Sequence, residues 1–135
     1  MMPHPRMLIR EQVRTLLAAA APPGWNVQKG NGRALPEPSV CPCIVVAIPN
    51  ESVSRGAQRK RREPRLTVSA FIAETVGGDD QCDDASIWIE AALDADPTLG
   101  GVCQDCTHVE SSVTPYPGGE RPIWELSLTY HLRVS

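Results

Sequence analysis

Aromatic residues are scarce in this chain: one Phe, two Tyr and three Trp in 135 residues. Its core has to be aliphatic and small, which argues against a very stable monomer and for association with other chains. Long apolar runs are missing too. None approaches the ~20 residues a bilayer needs, so no membrane partner is expected. Met7-Leu8-Ile9 is interrupted at once by Arg10 and Glu11, so the apolar stretch of a signal peptide is lacking and an intracellular origin is expected. The cysteine count, five, is odd, which in such a chain points to free thiols rather than a disulfide framework. Catalytic signatures are absent as well. The three histidines, His4, His108 and His131, are far apart, and no nucleophile elbow, phosphate loop, HExxH or dinucleotide fingerprint occurs. Gly30-Asn-Gly32 reads as a turn, because no helix opens after it. The expectation is a non-enzyme with no cofactor.

A strong charge imbalance is also missing. The net charge is −3 with a pI near 5.6, against the basic balance of a dedicated nucleic-acid binder. The charges are nevertheless segregated. Six of the 13 basic residues lie between Arg55 and Arg65, and four acids lie between Asp79 and Asp84.

The clearest pattern present is at the C-terminus. From Trp124 onward, Trp124, Leu126, Leu128, Tyr130, Leu132 and Val134 alternate with Glu125, Ser127, Thr129, His131 and Arg133. Period two over this length predicts a half-buried strand from Ile123 to Val134. At the other end, Ile9, Val13, Leu16, Leu17 and Ala20 recur at helical spacing. They predict a helix from Pro5 to Ala21, begun by Pro5 and stopped by Pro22-Pro23-Gly24. A short strand is expected at Trp25 to Lys29. A strand from Val40 to Ile48 is apolar on both faces and so buried on both, with Pro42 at its edge or at the start of pairing. Arg65 to Glu74 reads as a further strand. A second helix runs from Asp83 to Ala95 on Ala85, Trp88, Ile89, Ala92 and Leu93, and Asp96-Pro97 ends it. A strand at Val102 to Val113 and the turn Pro115-Tyr-Pro-Gly-Gly119 lead into the last strand. With 135 residues this makes one domain, residues 1–135. It is α+β: a mixed, mostly antiparallel four- to five-stranded sheet with two helices on one face. A long basic hairpin loop, residues 50–63, is expected to be mobile.

Two side-chain groups bear on function. Arg55, Arg59, Lys60, Arg61, Arg62 and Arg65 form a basic run suited to phosphate backbone or to an acidic protein surface. A solvated loop tip is the bland alternative. Asp79, Asp80, Asp83 and Asp84 are a candidate complementary patch on a neighbouring copy, or ordinary helix capping. Cys41-Pro-Cys43 and Cys103-x-x-Cys106 have spacings that a zinc site uses. The first pair lies among Val and Ile, where cysteine behaves as a small hydrophobe, and the second precedes a strand. The reading therefore assigns no metal.

In its element order the chain resembles the tail terminator, or minor tail, proteins of lambda-type phages with long non-contractile tails. The resemblance rests on the Arg-bearing opening helix from Arg6 to Ala20 and the strand Pro42-Cys-Ile-Val-Val-Ala-Ile48. It rests further on the strand Leu66-Thr-Val-Ser-Ala-Phe-Ile72, the helix start Asp84-Ala-Ser-Ile-Trp88 and the closing Trp124-Glu-Leu-Ser-Leu-Thr-Tyr130. It spans nearly the whole chain and implies a structural virion protein. Such a protein forms a ring, a hexamer, that caps the tail tube, stops its polymerisation and offers a surface to the head–tail connector. Its implied partners are itself, the tube protein, the connector and, non-specifically, the DNA passing through the ring. Its implied place is the host cytoplasm during assembly and then the virion tail. The alternatives are a nucleic-acid-binding module built on the basic loop and a small zinc-binding protein.

Overall fold

The computed structural model describes residues 3–29, 35–55, 60–74, 77–118 and 121–134. Gly30 to Gly32, Arg59 and Gly119 lie outside the described residues. The elements are α1 (Pro5–Ala20), β1 (Asn26–Gln28), a 3-10 turn (Pro38–Val40), β2 (Cys43–Arg55), β3 (Lys60–Ala73), α2 (Gly78–Asp94), β4 (Asp105–Tyr116) and β5 (Ile123–Arg133). The five strands form one mixed sheet in the order β1-β2-β3-β5-β4. β1 runs parallel to β2, and all other neighbours are antiparallel. β3 and β4 therefore share a direction and are joined through α2, with β5 between them. The fold is α+β, as the alternation of helical and period-two segments predicts.

Both helices cover the same sheet face. Ile9, Val13 and Leu17 of α1 and Cys82, Ala85, Ile89 and Leu93 of α2 pack on Ile44, Val46, Leu66, Val68, Leu126, Leu128, Tyr130 and Leu132. These side chains are at most 2% exposed. The alternation of β5 is reproduced residue for residue, because one face meets the helices and the other does not. Trp25 and Trp88 meet edge to face at 5.4 Å and close the gap between α1 and α2. On the other face Cys43, Phe71, Ala73 and Ile123 form a smaller buried cluster under Leu35, Val40 and Tyr116. This explains why the start of β2 is apolar on both sides.

Four boundaries differ from the sequence reading. The segment read as a mobile loop, residues 50–63, is mostly strand. Asn50 pairs with Arg65, Glu51 with Pro64, Ser52 with Glu63, Val53 with Arg62, Ser54 with Arg61 and Arg55 with Lys60. The outer part of this two-stranded ribbon, Ser52 to Arg55 with Lys60 and Arg61, is exposed on both faces and needs no apolar alternation, so its pattern reads as a loop. β4 begins at Asp105 rather than Val102. The chain before it turns tightly around Leu99, which is fully buried at φ 49°, with the Asp96 carboxylate accepting from the Gly100 amide. Pro115 and Tyr116 belong to β4 rather than to the following turn. α2 begins five residues earlier than expected, at Gly78, so Asp79 and Asp80 form its first turn.

Candidate assembly surface

The β2–β3 ribbon carries the basic residues, and its register decides where each one points. A register shift between Ala47 and Asn50 inserts one residue into β2. Such a bulge reverses which face the following side chains occupy and adds local twist. Glu51, Val53 and Arg55 therefore share the helix side of the sheet with Lys60, Arg62 and Pro64. Arg61 and Arg65 occupy the opposite side. The basic run is thus divided between two faces, and Arg59 lies outside the described residues.

A single carboxylate ties the base of this ribbon to the body. Glu51 Oε1 accepts from the Arg6 Nη1 of α1 and, at 2.6 Å, from the Arg62 Nη1 of β3. The Glu51 side chain is only 8% exposed. Its Oε2 is buried and has no hydrogen-bond partner among the described residues. Arg62 is further held by its backbone, which exchanges both hydrogen bonds with Val134 at 2.8 Å. Arg62 is therefore a structural member of the basic run, whereas Arg55, Lys60, Arg61 and Arg65 are exposed. His4 accepts from the Arg6 amide through Nδ1 and caps α1. Its pKa is held below the ordinary value by desolvation and then by Arg6, Arg62 and Arg10, with Glu51 opposing. This places the α1 arginines and the ribbon arginine in one electrostatic neighbourhood.

The acidic residues sit elsewhere. α2 starts where β3 ends, so Asp79 and Asp80, its first-turn acids, lie at the end of the sheet away from the ribbon tip. Asp79, Asp80, Asp83 and Asp84 are exposed and make no ion pair to the ribbon among the described residues. The Asp79 carboxylate accepts from the Asp80 amide at 2.9 Å. The N-cap is Gly77, with no side-chain cap hydrogen bond, so these acids favour the helix start through its dipole rather than as caps, and any pairing with the basic run requires a second copy.

The two cysteine pairs do not come together. Cys43 lies in the small cluster and Cys41 packs on it; Cys103 lies in the main core on the other sheet face, with Cys106 packed against it. All five thiols are free. A hydrogen bond from Cys43, aided by Arg121, holds the Cys41 thiol below its ordinary pKa against the opposing effect of burial; the same bond and burial push Cys43 up. Burial, with nearby acids, pushes Cys82 and Cys103 up to about 11. Burial, then Cys103 and nearby acids, pushes Cys106 up to about 12. Among the described residues no group of three or more His, Cys, Asp or Glu is placed to hold a metal ion.

The histidines are engaged locally. His108 faces Glu90 at 3.3 Å, stacks on Tyr130 at 4.9 Å and bonds Ser111 at 2.8 Å. His131 lies 3.7 Å from Glu63 on the open face. Hollows among the described residues mark the surface. One of about 430 Å³ lies by Leu35, Pro38, Tyr116, Arg121 and Ile123. Another, of about 490 Å³, separates α1 from β2 and is lined by Met7, Arg10, Glu11, Arg14, Lys29, Val46, Ala47 and Ile48. The sequence reading missed this second hollow, because its cations come from α1 and the end of β1 rather than from the basic run. Arg6, Arg10 and Arg14, spaced by four, were the available signal.

No helix among the described residues is long and apolar enough to cross a membrane. Compared with known proteins, the chain matches no family model and no curated protein.

Proposed function

We propose that this chain is a structural assembly protein of a phage tail or tail-like particle. It forms a ring on the end of the tail tube, stops tube polymerisation and presents the docking surface for a head–tail connector. It works without cofactor, in the host cytoplasm during assembly and then within the particle. A six-fold ring is part of the proposal because the resembled proteins form one. The observation that carries the reading is the separation of charge on one rigid sheet. A braced basic ribbon sits at one end, and the acids that open α2 sit at the other. Charges that cannot meet within a chain favour head-to-tail contact between copies, and such contact closes into a ring when the rotation permits.

The test is sedimentation velocity across protein and salt concentration, on the wild type and on Arg55→Ser/Lys60→Ser/Arg61→Ser. These side chains are exposed, so the melting temperature should stay nearly unchanged while assembly falls. Unfolding of the variant contradicts the exposed placement of the three. Normal assembly combined with lost retention on duplex DNA assigns the ribbon to nucleic acid instead.

A further inference from the structure

The register of β4 slips by one residue between His108 and Glu110. In a regular strand, residues three apart point to opposite faces. The extra residue brings His108 and Ser111 to one face: they pair with Tyr130 and Leu128, which both pack under the helices. Bulges re-aim side chains in this way, often beside reactive sites. α2 covers the same face and carries Glu90 to His108.

The contacts run in series. Ser111 Oγ and His108 Nε2 are 2.8 Å apart. His108 Nδ1 faces Glu90 Oε1 at 3.3 Å, and the Ser86 hydroxyl donates to Glu90 Oε2, so both carboxylate oxygens are engaged. The Tyr130 ring packs against the imidazole at 4.9 Å. With a carboxylate at Nδ1, the neutral imidazole carries its proton there. Nε2 then keeps its lone pair and accepts from the Ser111 hydroxyl. The Glu110 carbonyl, 3.1 Å from the same Nε2, accepts from it once the ring holds a second proton. Nucleophile, base and orienting carboxylate in this order activate a serine. Ser111 is exposed, so a substrate can reach it.

We propose that Ser111, His108 and Glu90 hydrolyse short-chain carboxylic esters through an acyl-serine intermediate. Ser111 Oγ attacks the ester carbonyl carbon, and its proton passes to His108 Nε2. The tetrahedral intermediate collapses, the bond from that carbon to the alcohol oxygen breaks, and the alcohol leaves with the proton. Water then attacks the acyl-serine and gives one proton to His108. The carboxylic acid departs, and the Ser111 oxygen takes that proton back. Glu90 is a positioning residue, which holds the ring proton on Nδ1 and stabilises the imidazolium. β4 is the outermost strand, so its outward amides have no strand partner among the described residues and are the donors available to the oxyanion. Ile87, one helical turn before Glu90, and Val113, two residues beyond Ser111 on the same face, are exposed and favour an apolar acyl chain. The activity is independent of the ring reading, and either can fail without the other.

The experiment uses the full chain, p-nitrophenyl butyrate and a fluorophosphonate probe. Wild type should release a burst of about one p-nitrophenolate per chain and take up the probe on Ser111, located by peptide mass mapping. Ser111→Ala and His108→Gln should each lose the burst, the label and about 100-fold of the rate. Glu90→Gln should lower kcat about 10-fold with KM unchanged, because Glu90 touches no substrate. Thermal melting by circular dichroism checks that each variant folds. A wild type that takes no label, a label confined to other residues, or turnover that Ser111→Ala leaves unchanged overturns the proposal. An unchanged kcat in Glu90→Gln overturns the role given to Glu90. If His108→Gln fails to fold, because its ring packs on Tyr130, the label position in wild type and the Ser111→Ala rate decide the question with the same outcomes.

Discussion

Gly78, the first residue of α2, lies directly on the indole of Trp124 in β5. A Cβ at Gly78 would fall within the ring, against Cδ1, Nε1 and Cγ. Glycine is required here by close approach, since its backbone is helical. Gly78→Ala should lower stability by about 1–3 kcal/mol, the usual cost of overpacking, although alanine is the better helix former. A thermal melt equal to wild type would mean that the helix start can lift off β5 freely.

Leu128 is fully buried at the centre of β5, opposite Val68 on one side and Ser111 on the other. Leu128→Ala should cost about 2–5 kcal/mol, from lost transfer energy plus the remaining cavity. Urea denaturation measures this directly. A change below about 1 kcal/mol would contradict the packing of β5 against both helices.

Glu51→Gln should loosen the ribbon. The substitution removes the charge that holds Arg6 and Arg62 together. Arg6 is 39% exposed, so screening limits the loss, and about 1 kcal/mol is expected. The distinctive outcome is local: amides from Ser52 to Arg55 and from Lys60 to Arg62 should exchange hydrogen faster, while those of β5 stay protected. Equal protection in both forms would show that the backbone bonds between Arg62 and Val134 suffice.

Much of this fold was legible because burial imposes a period. β5 and α1 each bury one face: Leu126, Leu128, Tyr130 and Leu132 of β5 and Ile9, Val13 and Leu17 of α1 became core, while Ala20, also read into the α1 stripe, is exposed. The ribbon was illegible for the opposite reason. Ser52, Val53, Ser54 and Arg55 are held by backbone pairing with water on both faces, so their side chains record no period. β4 was shifted because the irregularity between His108 and Glu110 breaks its alternation, leaving Val109 exposed. Candidate charges were found as runs in sequence, but the fold divides the basic run between two faces and recruits Arg6 from α1. That convergence depends on tertiary contacts through Glu51, which no local pattern encodes.

Alkaline pH should destabilise the fold through its thiols. Folded-state values near 11 for Cys82 and Cys103 and near 12 for Cys106 lie above the ordinary value of 9.0. The unfolded chain therefore loses these protons first. The stabilisation is fully present below about pH 9 and is lost as pH rises towards 11–12. The melting temperature should fall steadily over that window, and Cys82→Ala should flatten part of the slope. A flat profile from pH 8 to 11 would contradict burial of these thiols.

The central claim is self-assembly into a closed ring, and negative-stain electron microscopy of the purified chain, with and without isolated tail tubes, tests it most directly. The account predicts rings of uniform diameter that match the width of the tube and sit at one end of it. Only particles of monomer size, at every protein concentration and salt and with tube ends bare, would contradict it.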